Sequence, residues 1–197
     1  SLYGSVNSNN GLFIGANADV AVYGDNNYTN YFNGSTYWAA SASGQYDYTE
    51  GTLQCWCYFS TLPASTVVNA LIVKNARYNL SMSNSSGSIN FYFNDPAGVY
   101  GSQRGTTVIK QNTWYHVTHS FKSGVLNGSY LYVNGVLEKT GTMSTNNGNQ
   151  SLTIGSNNGA TICNGYINKV RIWNRQLSST EIAQNWNEII SITRSNL

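Results

Sequence analysis

Short runs of Val, Ile, Tyr, Phe and Thr recur along almost the whole chain, and clusters of Gly, Asn and Ser separate them. Branched and aromatic side chains suit the pleated surface of a strand, whereas Gly, Asn and Ser suit the turns between strands. The runs are Leu12–Ile14, Val20–Tyr23, Tyr37–Ala40, Thr52–Phe59, Asn69–Lys74, Asn79–Ser83, Ser88–Phe93, Thr107–Ile109, Trp114–Phe121, Ser129–Val133, Val136–Thr140, Leu152–Ile154 and Gly165–Trp173. This many strands, with almost no helix between them, predict an all-β protein built as a two-sheet antiparallel β-sandwich. Both prolines, Pro63 and Pro96, fall outside the runs, as sheet hydrogen bonding prefers. A length of 197 residues suits one domain and can bury a sizeable core.

Local signals sharpen the outline. Asn134-Gly135 sits between Tyr130–Val133 and Val136-Leu137, and both residues tolerate the positive φ of a type I′ turn, so a tight hairpin is expected there. A second hairpin is expected through Asn84–Gly87. One helix is readable: Ser178 and Glu181 form a capping box, and Ile182, Trp186 and Ile189 follow at helical spacing. This short C-terminal helix is expected to lie across a sheet edge or rim. The first 27 residues are less regular and read as an N-terminal edge strand or linker, with the main domain over residues 28–197.

Polarity comes from Asn, Ser and Thr, because only 9% of residues are charged and the net charge is +2. Cations this sparse cannot neutralise a row of phosphates, so no nucleic-acid partner is expected. No apolar run approaches the ~20 residues of a membrane span, so no membrane insertion is expected. No leader pattern opens the chain, so a signal peptide is read as absent or removed. The uncharged, Tyr- and Asn-rich character fits an extracellular, cell-surface or virion-surface setting. The Asn-x-Ser/Thr sequons at Asn27, Asn33, Asn79, Asn84, Asn127 and Asn149 are no more than this composition produces by chance.

Cys55 and Cys57 lie two apart in a strand, with Cβ atoms too far apart for a disulfide. A bridge from either to Cys163 stays open, and three buried thiols are the simpler reading. His116 and His119 share a strand three residues apart, so they point to opposite faces and do not suit a common metal. One is expected inside with a hydrogen bond, the other solvated. Asp47 and Glu50 are expected in a solvated turn.

The second half carries a family pattern. Asn112–Val117, Leu131–Gly135, Leu152–Ser156, Gly165–Arg175 and Leu177–Ile182 follow one another in an order and spacing that resemble the laminin-G-like jelly-roll domains of the concanavalin A-like lectin/glucanase superfamily. Tyr31–Ser35 and Thr52–Cys57 look like that family's first strands, so the likeness covers roughly residues 28–190. The resemblance implies a jelly-roll sandwich, which hosts lectins, adhesion modules, enzymes and virion parts. One departure stands out: Asn168 and Lys169 occupy positions that are often acidic in the family.

Glycan cleavage needs two carboxyl groups flanking one bond. Glucanases of this fold carry an acidic strand motif of the type Glu-x-Asp-x-Glu, which this chain lacks, so no enzyme is expected. The resemblance also implies a calcium ion near a rim, and calcium wants six to eight oxygens. Asp95, in the loop Asn94–Gly98, is the first candidate ligand, and Asp25 is the second. Trp56, Trp114 and Trp173 read as packing residues. Tyr37, Trp38, Asn75, Arg77, Asn94 and Tyr100 fall at loop or edge positions and are the candidate sugar-binding residues: rings for pyranose faces, amides and a guanidinium for hydroxyls. For any one of them, packing is the simpler reading. The expectation is a non-catalytic carbohydrate-binding or adhesion module whose partner is a neutral glycan or glycoprotein. Weak single sites would call for an oligomer or larger assembly. The alternative is a structural or receptor-binding domain of a virion or surface fibre, making protein–protein contacts.

Overall fold

A computed structural model describes residues 12–14, 20–23, 30–34, 37–39, 46–63, 68–85, 87–146, 148, 150–157, 159 and 163–194. It contains β1 (Leu12–Ile14), β2 (Val20–Tyr23), β3 (Asn30–Asn33), β4 (Trp38–Ala39), β5 (Glu50–Tyr58), β6 (Val68–Lys74) and β7 (Tyr78–Ser85). There follow β8 (Ser88–Asn94), β9 (Ser102–Arg104), β10 (Trp114–Lys122), β11 (Ser129–Val133), β12 (Val136–Gly141), β13 (Leu152–Ile154), β14 (Asn164–Trp173) and α1 (Ser179–Arg194).

The strands form two antiparallel sheets. An eight-stranded sheet runs β1-β2-β14-β5-β10-β11-β12, with β3 also on β14, and a six-stranded sheet runs β4-β13-β6-β7-β8-β9. Ten residues make β14 long enough to pair β3 through Asn164–Ile167 and β2 through Val170–Trp173, while its other edge pairs β5. Alternation along each strand supplies the core. Leu53, Cys55 and Cys57 on β5 and Tyr115, Val117 and Phe121 on β10 meet Leu80 and Met82 on β7 and Phe91 and Phe93 on β8. The expected two-layer jelly roll is what forms.

Both hairpins close as predicted. Asn134 and Gly135 have φ of 51° and 78° between Val133 and Val136. A Cβ on Gly135 would also come within 3.1 Å of the Trp186 ring, so the turn and the helix both need glycine there. The second hairpin pairs Ser85 with Ser88 and turns at Gly87, whose φ is 85°.

The capping box forms: the Ser178 amide donates to Glu181 Oε2 (2.8 Å), and the Glu181 amide donates to Ser178 Oγ (3.3 Å). The helix position is a correction. It lies on the outer face of the eight-stranded sheet, not at an edge or rim, with Ile182 buried against Tyr132, Trp173 and Leu177. Trp186 stacks on Trp56 with centroids 5.0 Å apart. The reason is the apolar side chains that point outward from this sheet and need cover. The Ile189 side chain lies outside the described residues.

Further corrections concern single segments. Thr107–Ile109 forms no strand. The Glu138 carboxylate accepts from the Thr106 and Thr107 amides and the Thr107 hydroxyl, and Ile109 makes an isolated bond to the Ile89 carbonyl. Asp47 is not solvated in a turn, because it pairs with fully buried Lys74 (3.1 Å) and with Arg77 (3.2 Å). Neither histidine is solvated. His119 faces the core, stacks on Phe93 and bonds the Asn79 carbonyl, and His116 lies on the opposite face between Trp56 and Trp186. Burial lowers both to about 3, with Arg171 adding to the effect at His116 and the Asn79 bond opposing it at His119. Cys55, Cys57 and Cys163 are buried free thiols, and burial raises Cys57 and Cys163.

Candidate functional site

The strands β6 to β9 place one set of side chains in the core and the other set on the outer face of the six-stranded sheet. On β7 the inward residues are Tyr78, Leu80 and Met82, which leaves Asn79 and Ser81 outward. On β8 the inward residues are Ile89, Phe91 and Phe93, which leaves Asn90, Tyr92 and Asn94 outward. The outward set is nearly all amide and hydroxyl. A cavity of about 310 Å³ opens over it, lined by Asn75, Asn79, Ser81, Tyr92, Asn94, Ser102 and Asn157, with Lys74, Tyr78, Asp95, Gly101 and the apolar Val68, Val73, Ala76 and Pro96 also on its wall.

Hydrogen bonds hold these groups in place. Asn79 Oδ1 accepts from the Asn94 amide (2.7 Å), and Asn79 Nδ2 donates to Ser81 Oγ (3.3 Å). Ser102 Oγ donates to Asn94 Oδ1 (2.6 Å), so the Asn94 oxygen is engaged and its Nδ2 remains as a donor. Burial holds the Tyr92 phenol above its ordinary value, against the opposing effects of a Ser81 hydrogen bond and of Arg104. Tyr92 is therefore a neutral hydroxyl at physiological pH. The Arg104 guanidinium lies over its ring at 5.0 Å.

The charges beside the cavity are neutralised within the protein. Lys74 is fully buried, and its Nζ meets Asp47 Oδ1 and the Gln150 carbonyl. Asp95 Oδ1 accepts from the Ala97 and Ser144 amides, and Oδ2 accepts from the Val99 and Tyr100 amides. Four amide donors explain why a carboxylate can sit buried here. Asp95 thereby ties loop 95–101 to Ser144. The same geometry does not fit calcium, because a cation would have to displace those donors. Asp25 lies outside the described residues.

Of the candidate sugar-binding residues, Asn75 and Asn94 line the cavity. Tyr100 is exposed in the Asp95 loop, next to the lining residues Gly101 and Ser102. Tyr37 is exposed beside Gly159. Arg77 is not on the cavity wall, because its guanidinium is held by Asp47. Trp38 is a correction: it is 5% exposed and packed in the inter-sheet core, so its ring faces no ligand. Trp114 is the reverse case: it is 38% exposed on the eight-stranded sheet instead of packed. Asn79, Ser81, Tyr92, Ser102 and Asn157 also line the cavity and were not among the candidates. The signal for most of them was present, since polar residues alternate with core residues along β7 and β8.

No group of three or more His, Cys, Asp or Glu among the described residues could hold a metal ion. Among the same residues, no helix is long and apolar enough to cross a membrane.

The fold can be set beside known proteins. Domain 4 of an extracellular arabinanase from Geobacillus stearothermophilus, solved with arabinotriose, is 19% identical with a TM-score of 0.59, over 84% of this chain and 80% of that one. A heptameric pentraxin from Limulus polyphemus is 16% identical with a TM-score of 0.53, over 84% and 81%. The binding domain of a Paraclostridial mosquitocidal protein is 15% identical with a TM-score of 0.62, over 95% of this chain and 52% of that one. These likenesses show a shared fold. No curated protein matches the chain by sequence. Residues 32–183 match the laminin-G-like family of the concanavalin A-like lectin/glucanases superfamily. The chain belongs to that superfamily.

Proposed function

We propose that this protein is a non-catalytic binding module that takes a neutral glycan into the cavity on the outer face of the six-stranded sheet. The observation that carries the reading is the lining itself. Amides, hydroxyls and the phenols of Tyr78 and Tyr92, together with the apolar Val68, Val73, Ala76 and Pro96, line a cavity of about 310 Å³ whose charged wall residues Lys74 and Asp95 are compensated internally. Such a surface can meet sugar hydroxyls by donating and accepting. It offers an anionic or cationic ligand little free charge to pair with, apart from Arg104.

The carboxylates support a binding role over a cleaving one. Asp47 pairs with Lys74 and Arg77, Glu50 with Lys122, and Glu181 with Arg175, while Glu138 and Asp95 accept backbone amides. Among the described residues, none of these stands opposite another across the cavity as acid and base. The arabinotriose complex of the similar arabinanase domain is consistent with a sugar ligand on this fold. Secretion or surface display would put the module within reach of such glycans.

The test is a soluble neutral glycan panel assayed by affinity gel electrophoresis, with Asn94→Ala as the site variant. The wild type should be retarded by at least one member, and the variant's affinity should fall about tenfold, the effect of losing ~1.4 kcal/mol of hydrogen bonding. Added chelator should change nothing. Failure of the wild type to bind any member, or turnover of a glycan, would refute the reading.

A further inference from the structure

The outer face of the eight-stranded sheet carries a feature that the cavity does not explain. One position beyond the helix-covered row, Trp114, Tyr58, Tyr166 and Tyr31 stand side by side on β10, β5, β14 and β3. The strand register makes this row: Trp114 is opposite Tyr58, Tyr58 opposite Tyr166, and Tyr166 opposite Tyr31. Consecutive ring centroids are 5.4, 5.8 and 5.0 Å apart, with interplanar angles of 41°, 66° and 45°. Both ends are open, since Trp114 is 38% and Tyr31 is 53% exposed. The next row, Trp56 and His116, is the one that Trp186 covers.

We propose that this aromatic row is a second binding site that takes a single soluble neutral glycan chain laid across the strands. The spacing places one ring under each successive sugar. The apolar C–H faces of sugars pack on aromatic rings, while their hydroxyl rims stay polar and need partners. Those partners flank the row: Tyr58 donates to Asn112 Oδ1 (3.0 Å) and Tyr31 donates to Asn164 Oδ1 (3.2 Å), which leaves both carboxamide nitrogens as donors. Among the described residues, the hydrogen-bond and ring partners of the four side chains are uncharged, which matches a neutral ligand and not a charged peptide. The mutual tilt of the rings makes the track corrugated. It therefore suits a twisted chain in solution and not the flat face of a crystalline polysaccharide.

Trp114→Ala combined with Tyr31→Ala removes the two exposed ends without touching the core. Electrophoresis through gels containing neutral arabinan, galactan, mannan or mixed-linkage glucan should show at least a tenfold loss of affinity for the polymer that the wild type binds, with an unchanged thermal midpoint. Ser102→Trp, which blocks the cavity instead, should leave the remaining affinity dependent on Trp114 and Tyr31, so failure at one site is separable from failure at the other. Wild-type affinity in the double variant would overturn the proposal. So would a wild type whose polymer binding is abolished by Ser102→Trp alone, or a double variant that loses a wild-type dimer by light scattering while keeping its glycan affinity.

Discussion

The two outer faces of the sandwich solve the same problem in opposite ways. The eight-stranded sheet turns Trp56, Tyr132 and Trp173 outward and must cover them, which α1 does with Ile182 and Trp186, joined by Leu177 just before the helix. The six-stranded sheet turns Asn79, Ser81, Tyr92 and Asn94 outward, satisfies them with hydrogen bonds to one another and to Ser102, and leaves a cavity beside them. Residue choice at every second position decides which face becomes support and which stays open. On this reading the helix-covered rows of the eight-stranded sheet carry stability, whereas the amide-lined face and the aromatic row beyond the helix carry recognition, so perturbing the helix contacts should spare binding.

Acid should destabilise the sandwich most, through one histidine under the helix and one between the sheets. His116 and His119 have folded values near 3, against about 6.5 when unfolded, so the unfolded state binds more protons between those limits. Stability is then full above about pH 6.5, falls as pH drops toward 3, and each histidine contributes a slope of up to ~1.4 kcal/mol per pH unit. Urea unfolding across that range checks this, and a flat profile would show that neither ring is held neutral. Ile182→Ala should cost about 2–5 kcal/mol, because it empties a fully buried position under the helix. Its glycan affinity at the cavity should match wild type under native conditions, and a parallel loss would dissolve the distinction between the faces.

Asp95→Asn tests the open side. Losing the charged acceptor of four amides should cost about 1–3 kcal/mol and loosen loop 95–101, seen as faster amide exchange at Val99 and Tyr100. Glycan affinity should fall with it. Ser178→Ala removes one half of the capping box and should cost about 1 kcal/mol with no change in binding. Lys122→Ala breaks an ion pair whose partners are both exposed, and thermal melts should register under about 0.5 kcal/mol.

Most of the fold was legible because it is written in local terms. Asn134-Gly135 specifies its own turn, Ser178 and Glu181 their own cap, and the period-two runs their own strands. What escaped depends on contacts distant in sequence. Thr107 looks like a strand residue until Glu138, thirty-one positions away, captures its amide. His116 looks half solvated until Trp186 arrives over it. The site was less legible. Asn75 and Asn94 were found as loop-border residues, but Asn79, Ser81 and Tyr92 were overlooked because they lie inside strands. Trp38 was misplaced because a two-residue strand gives no periodicity with which to orient a ring.

The most direct measurement is a titration of isotopically labelled protein with a soluble fragment of a neutral glycan that it binds, followed by amide and side-chain amide shifts in NMR. The account predicts progressive shifts at Asn75, Asn79, Asn94 and Ser102, unaffected by chelator or moderate salt, with the glycan recovered intact. Shifts that leave all four untouched, or a fragment that is cleaved during the titration, would contradict it.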